Sequence, residues 1–184
     1  KRQFADFVQM SGCKGKIRIL DSYFEGAHDD PINIHGTHLK VMEYVSDRQV
    51  KVRFMHGQSY GFEAFYKGDE VEFVDAHSLR CLQPACVKAV ERIGDYEILL
   101  TLDRAVNDNV KTAENVSVEN VTWTPEVEIR NNYFSRIPTR GILVTTRRKV
   151  VIEDNVFYRI PMSGVLVSDD ARGWYESGPV RDVT

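Results

Sequence analysis

An internal repeat near the carboxyl end limits the possible folds of this chain more than any other feature. Residues 129–144 align without a gap on residues 152–167, which lie 23 positions later, and at least half of the sixteen positions are identical. A period in the low twenties, with β-branched runs separated by Asn, Gly and Pro, is typical of a coil of a parallel β-helix. Leucine-rich repeats have a similar period, but their spaced leucines are missing here. Stacked coils would place Asn132 on Asn155 at a turn and Phe134 on Phe157 inside.

A third copy of the repeat lies near the amino end. Residues 19–34 match residues 129–144, so the offset is 110 residues, which is not a multiple of 23. One coil accounts for 23 of these residues, and the remainder, roughly 87 residues, reads as an insertion. We therefore expect residues 1–36 to form β-helix coils, residues 37–121 to be inserted after His35-Gly36, and residues 122–184 to continue the coils.

The inserted segment has the pattern of a small all-β module. Residues 49–54 alternate between apolar and polar, and short strand-like runs occur at 39–45, 70–74 and 98–102. Five or six closely spaced strands favour a small antiparallel barrel. The Gly-rich residues 56–61 lack the strand, lysine and helix of a phosphate-binding loop, so we expect a plain loop. The predicted fold class is all-β: a parallel β-helix with coils of about 23 residues, interrupted by an inserted barrel.

The residues best suited to catalysis lie between Gly26 and Gly36. Asp29 and Asp30 are adjacent and precede a proline, which is also ordinary turn chemistry. Equivalent residues of successive coils lie about 4.8 Å apart, so Asp6, one coil earlier, is predicted to share a wall with both. Crowded carboxyl groups repel, and one of them can be held protonated near neutral pH. Glycoside hydrolysis uses carboxyl groups about 6.5–9.5 Å apart for inversion or about 5 Å apart for retention, and the sequence allows either.

These residues resemble glycoside hydrolase family 110, the exo-acting α-1,3-galactosidases of gut and marine bacteria. The resemblance is carried by Asp6, by the string Phe24-Glu-Gly-x-x-Asp-Asp-x-x-Asn-x-His-Gly36, by the barrel-sized insertion and by coils of the form Asn-Asn-x-Phe. It implies a right-handed parallel β-helix with barrel insertions and catalytic roles for Asp6, Asp29 and Asp30. It also implies release of terminal α-1,3-linked galactose, as in blood group B and linear B type glycans, with inversion and without a metal ion or cofactor. A bacterial protein of the periplasm, outer membrane or extracellular space is the implied location.

Four further residues are candidate substrate contacts. Asn33 and His35 follow the aspartates closely and either hydrogen-bond galactose hydroxyls or pack on a strand face. Arg140, one coil after Asp30, pairs with a carboxylate, binds a hydroxyl or is an ordinary surface arginine. Trp174 follows the second repeat in a loop, where an aromatic ring either lines a sugar site or caps a core.

Three other acids near these residues are assigned no catalytic role. We expect Glu25 and the Asp169-Asp170 pair to be solvated turn acids.

Composition excludes several classes of partner. The net charge of −3 argues against a nucleic-acid partner, and no apolar run approaches membrane-spanning length. The three cysteines lack metal-ligand spacing, and we expect them to be small buried side chains. The chain starts and stops abruptly, and residues 180–184 end in the middle of a strand-like pattern, so we expect a piece of a longer protein in which the absence of a leader says nothing about its compartment. The sequence does not indicate an oligomeric state.

Two other function classes stay open at this point. A pectin-type hydrolase or lyase would use the same kind of fold, although a lyase needs a cation site or a basic residue, and uronate substrates favour a more basic groove. A non-catalytic solenoid would bind glycan along an aromatic strip instead of in a closed pocket. The hydrolase interpretation predicts weak or no activity for this piece alone.

Overall fold

The computed structural model describes residues 5–168, 171–176 and 178–184. The chain forms two compact units: the first contains the segment ending at His35, Thr124–Ser168 and Val180–Thr184, and the second contains Gly36–Trp123 and Asp169–Pro179. Among the described residues, no helix has the length and apolar character needed to cross a membrane.

Almost all regular secondary structure of the described residues is β-strand. One short helix, α1 (Asp108–Lys111), follows β9. The strands are β1 (Val8–Ser11), β2 (Lys16–Leu20), β3 (Tyr23–Glu25), β4 (Ile32–His35), β5 (His38–Ser46), β6 (Gln49–Arg53), β7 (Glu70–Asp75), β8 (Cys81–Arg92), β9 (Glu97–Leu102), β10 (Val116–Asn120), β11 (Glu126–Arg130), β12 (Tyr133–Ser135), β13 (Ile142–Thr145), β14 (Lys149–Glu153), β15 (Val156–Tyr158), β16 (Val165–Leu166) and β17 (Asp182–Val183).

The first unit is built from three sheets of parallel strands. Their strand orders are β1-β4-β13-β16, β17-β14-β11-β2 and β15-β12-β3. Ile129 pairs with Ile19 on one side and with Ile152 on the other, so the offsets of 110 and 23 residues read from the repeats are confirmed. Each copy of the repeat therefore contributes one strand to each sheet.

Equivalent side chains stack where strands from successive copies meet. The Phe24 and Phe157 rings each lie 5.0 Å from the ring of Phe134, which is fully buried. The Asn155 side-chain oxygen accepts hydrogen bonds from the Asn132 backbone N–H at 3.0 Å and from its side-chain amide at 2.9 Å. Both predicted ladders are confirmed. The Asn ladder provides hydrogen-bond partners for polar groups of the turns, and the Phe ladder packs aromatic rings in the core of the first unit.

The turns of the repeats are also alike. In each copy, two residues adopt left-handed backbone angles, and these residues occupy the same two positions of the repeat. The first position is held by Asp21, Asn131 and Asp154, and the second by Gly26, Arg136 and Arg159, with φ between 50° and 68°. Asp, Asn and Gly tolerate this conformation, whereas an arginine is held there only by its surroundings. The chain therefore turns in the same way in each copy, whatever side chain occupies the corner.

The second unit contains a closed antiparallel barrel with the order β10-β5-β6-β9-β8-β7. Its inward-facing apolar residues include Val52, Phe73 and Leu100, which are fully buried. The inserted barrel predicted from the sequence is confirmed, and residues 56–61 contain no strand, as expected for a loop. The twelve-residue strand β8 was not predicted, because Pro84 and several small residues interrupt its pattern.

The cysteines differ from the prediction. Cys13, Cys81 and Cys86 form no disulfide, but each is half-buried instead of buried in a core. Cys13 follows β1 and Cys81 begins β8, whereas Cys86 lies in the middle of β8, and at each place the small side chain is covered only in part.

Replacing Gly141 by alanine should destabilise the first unit. The Gly141 amide donates a hydrogen bond to the Ser163 carbonyl at 2.9 Å. An added Cβ would overlap the Gly164 carbonyl oxygen and lie 2.7 Å from the Phe157 ring. We expect Gly141→Ala to lower the free energy of unfolding by about 1–3 kcal/mol, as overpacking does. Urea denaturation followed by circular dichroism measures the loss. Gly94→Ala, where the new Cβ meets nothing within 4 Å, is the control, and equal effects of the two changes would contradict this account.

Glu128 should make stability depend on acid pH. Its carboxylate contacts Lys16 at 3.0 Å, Arg18 at 3.1 Å and Arg130 at 2.8 Å. The hydrogen bond from Lys16, reinforced by the charge of Arg18, lowers the pKa of Glu128 below its ordinary value. A lowered folded-state pKa gives stability that is present above the unfolded-state pKa and is lost as the pH falls through the folded one. As the pH falls below the ordinary glutamate pKa of 4.5, the unfolding free energy of the wild-type protein should therefore decrease more steeply than that of Glu128→Gln.

The control for this pH measurement is Glu126→Gln, which changes an exposed acid on the same strand. It should keep the wild-type pH profile. A wild-type profile in Glu128→Gln would show that the ion pairs of Glu128 contribute nothing to folding.

Candidate active site

Asp29 and Asp30 lie on the loop between β3 and β4. This loop begins at Gly26, whose left-handed backbone (φ 68°) turns the chain sharply. The Asp30 backbone N–H donates a hydrogen bond to the Asp29 side chain at 3.0 Å, which fixes the two residues relative to each other. Asp29 is half-exposed, whereas the side chain of Asp30 is only 3% exposed. The two adjacent acids therefore have different environments.

Asp6 joins these two residues through the parallel register. Val8 on β1 pairs with Ile32 on β4, which places Asp6 opposite Asp30. One carboxylate oxygen from each of Asp6, Asp29 and Asp30 lies within 4.8 Å of the other two. Residues that are 23 and 24 positions apart in sequence thus form a single acidic cluster, as the stacking argument expected.

Arg140 compensates the charge of the acidic cluster. Its Nε donates to one oxygen of Asp30 at 2.8 Å and its Nη2 lies 2.6 Å from the other. Its backbone N–H also donates to Asp30 at 3.3 Å, and Nη2 lies 4.0 Å from Asp29. The hydrogen bond from its guanidinium to Asp30, together with the charges of Asp30, Asp29 and Asp6, raises the pKa of Arg140. Of the alternatives open for Arg140, the structure shows a two-point ion pair with a carboxylate.

The geometry of the cluster suits proton transfer through water. Two carboxylate oxygens within 4.8 Å of each other can both accept hydrogen bonds of ordinary length, about 2.7–2.8 Å, from one water molecule. Carboxylate oxygens are also ligands that Ca²⁺ and Mg²⁺ prefer. A divalent cation here would have to lie beside the Arg140 guanidinium, which already contacts Asp30. Like-charge repulsion disfavours that arrangement, so we interpret the cluster as acid–base groups.

Asn33 and His35 lie on β4, directly after the aspartate loop. They alternate with Ile32 and Ile34, which pack in the core of the first unit. Asn33 pairs in register with Leu143 and is 6% exposed, and His35 is 3% exposed. The structure therefore places both on the strand face opposite the apolar core. Their contact with a sugar stays a prediction.

Trp174 belongs to the second unit. Its ring stacks on His56 with the ring centres 3.6 Å apart and is 42% exposed. Sequence reasoning did not foresee this stacking, because residues 56 and 174 share no repeat. Its proposed contact with substrate stays a prediction.

The prediction that Glu25 is a solvated turn acid is wrong. Glu25 ends β3, is partly buried, and forms an ion pair with Arg136 of the next copy. The repeat register could have indicated this ion pair, because Glu25 pairs with Ser135 and Arg136 is the next residue. Asp169 and Asp170, which were given the same role, lie outside the described residues.

Comparisons with known proteins identify relatives of both parts of the chain. The family described as GLAA-B beta-barrel domain II matches residues 49–116, within the second unit. Alpha-1,3-galactosidase A of Bacteroides thetaiotaomicron is 57% identical over 181 residues, which cover 98% of this chain and 32% of that protein. Alpha-1,3-galactosidase A of Bacteroides fragilis is 52% identical, covering 97% and 29%. Alpha-1,3-galactosidase B of Phocaeicola vulgatus is 38% identical, covering 97% and 31%.

These similarities extend over nearly the whole chain. The resemblance inferred from the aspartate string and the inserted barrel is therefore confirmed. The chain spans about a third of the length of the relatives that it matches.

Removing the partner of the buried Asp30 should destabilise the first unit. Arg140→Gln leaves a charge that is almost fully buried without its guanidinium, and we expect a loss of about 3 kcal/mol in unfolding free energy. Adding Asp30→Asn removes the buried charge and should restore most of that loss. Urea denaturation of the single and double variants measures the coupling. Arg159→Gln, at an exposed arginine of the next copy, is the control, and a double variant no more stable than Arg140→Gln would contradict the pairing.

Proposed function

We propose, because this chain is homologous over nearly its whole length to the α-1,3-galactosidases, that the protein carrying it hydrolyses terminal α-1,3-linked galactose from glycans. The observation that carries the proposal is the convergence of Asp6, Asp29 and Asp30 within 4.8 Å. Glycoside hydrolysis requires a proton donor for the leaving oxygen and a carboxylate that activates water or attacks directly. The acidic cluster supplies carboxyl groups for both tasks.

The different environments of the three acids support different roles. Arg140 engages both oxygens of Asp30, so we assign Asp30 to holding and orienting the attacking water together with a neighbouring carboxylate. Asp6 and Asp29 are only partly covered, and one of them protonates the glycosidic oxygen. The other acts with Asp30 as the general base and accepts the proton that the attacking water loses.

The proposed stereochemical outcome is inversion. Oxygens within 4.8 Å bind one water between them, and direct attack by this water inverts the anomeric carbon in one step. The same distance is shorter than the roughly 6.5–9.5 Å between the two carboxyl groups of inverting enzymes. Inversion is therefore proposed from the resemblance to the α-1,3-galactosidases and not from this distance, which is nearer to the roughly 5 Å of retaining enzymes.

The architecture proposed for the protein is a right-handed parallel β-helix with a barrel inserted after His35-Gly36. The three parallel sheets, the stacked Phe and Asn ladders and the repeated corners support coils of about 23 residues. Residues 1–36 and 122–184 would be coils and residues 37–121 the insertion. In this arrangement equivalent positions of neighbouring coils form the wall that carries the aspartates.

The proposed substrate is a glycan that ends in α-1,3-linked galactose, as in blood group B type structures. Asn33 and His35 are polar side chains on the strand that follows the aspartates, and they are proposed to hydrogen-bond galactose hydroxyls. Arg140 orients Asp30 next to that sugar. A bacterial protein exported from the cytoplasm would meet such glycans, and export is part of this proposal.

The test is hydrolysis by the full-length protein. Incubation with a terminal α-1,3-galactoside should release galactose, and proton NMR of the first turnovers should show the β-anomer. Asp29→Asn and Asp6→Asn should each lower kcat by about 10²–10⁴-fold, because each removes an acid–base group. Asp154→Asn, at an exposed acid of a corner where asparagine also fits, is the matched control. Full activity in both site variants, or first release of the α-anomer, would overturn the assigned mechanism.

A further inference from the structure

A cavity of about 400 Å³ lies at the loop that carries the aspartates. It is lined by Glu25, Gly26, Ala27, His28, Arg136 and Pro138. This volume is within the range of small-molecule sites, about 300–1,000 Å³. None of the catalytic roles proposed above uses these residues.

Both walls of the cavity are close in sequence to the acidic cluster. On one wall, His28 directly precedes Asp29 in the chain. On the other wall, Pro138 lies two residues before Arg140, which holds Asp30. The register that pairs Ile32 with Ile142 places His28 and Pro138 at equivalent positions of neighbouring copies. The cavity therefore borders the two chain segments that carry Asp29, Asp30 and Arg140.

The lining has the chemistry of a neutral sugar site. Glu25 and Arg136 form an ion pair whose side chains are 31% and 63% exposed, so acceptor and donor positions face the solvent. Pro138 is exposed and offers an apolar face, and His28 is exposed beside it. Gly26 has left-handed angles and no side chain, and a Cβ there would meet nothing within 4 Å, which keeps the wall open. Because the ion pair has no net charge, the lining does not favour an acidic sugar over a neutral one.

We propose that this cavity binds the second sugar of the substrate, the neutral hexose to which the terminal galactose is attached. Arg136 and His28 determine which glycans are cleaved, through hydrogen bonds to the hydroxyls of that hexose. This inference rests on the proposed function, because the second sugar is defined only by the bond that is broken.

The next copy of the repeat provides a matched control. Arg159 occupies the position equivalent to Arg136, and the two residues have nearly equal left-handed angles, φ 55° and 53°. The Arg159 guanidinium lies over the Tyr158 ring at 5.1 Å, and it does not line the cavity. Replacing either arginine by alanine thus makes the same change at the same kind of corner, but only Arg136→Ala alters the cavity.

The experiment compares two substrates with the full-length protein. p-Nitrophenyl α-galactoside has no second sugar, whereas the disaccharide galactosyl-α-1,3-galactose has one. We expect Arg136→Ala to lower the ratio of kcat/KM for the disaccharide to kcat/KM for the aryl galactoside by about tenfold. Arg159→Ala should keep the wild-type ratio. Thermal unfolding of each variant verifies that it is folded, and His28→Ala serves as a second test that leaves the ion pair in place.

The outcomes separate this inference from the function on which it rests. A ratio that stays at the wild-type value in folded Arg136→Ala and His28→Ala overturns the second-sugar site and leaves the galactosidase proposal standing. An equal fall of the ratio in Arg159→Ala overturns it as well. Hydrolysis of neither substrate by the wild-type protein overturns the proposed function, and this inference with it.

Discussion

The parallel register between copies of the repeat is the constraint on which the rest of the structure depends. Phe24, Phe134 and Phe157 pack face to face at 5.0 Å, and the Asn132–Asn155 hydrogen bonds lock the adjoining turns. A slip of one residue would turn every stacked side chain to the opposite face of its strand. It would also separate Asp30 from Arg140, so the same contacts that stabilise the first unit assemble the acidic cluster.

The inserted barrel leaves the parallel register of the first unit undisturbed, because its strands form a closed sheet of their own. Its six strands pair only with one another, and its apolar residues form their own core. The free-energy cost of a longer connection grows only with the logarithm of its length. The strands on either side of the insertion therefore pair as adjacent copies would, although 110 residues separate Ile19 from Ile129.

Much of the fold and part of the site could be predicted from the sequence, because repeats convert sequence spacing into spatial contact. The pairing of Ile129 with Ile152 and the meeting of Asp6 with Asp30 follow from offsets alone. Contacts without a periodic relation could not be predicted in this way. The stacking of Trp174 on His56 joins two irregular segments. The ion pair of Glu25 with Arg136 depends on which way two long side chains extend from a turn, and spacing does not specify that direction.

The repeated left-handed corners have a consequence for how such a protein diversifies. A duplicated segment adopts the same turns as the segment it was copied from, so its strands can pair with those of the existing sheets without a change in backbone path. Selection can then change its side chains one at a time. One column of the register shows this freedom, since neighbouring copies present different chemistry at a single position: Asp6, Asp30, Arg140 and Ser163. Two carboxylates of the acidic cluster and the arginine that pairs with them thus occupy one column of a backbone whose turns are the same in each copy.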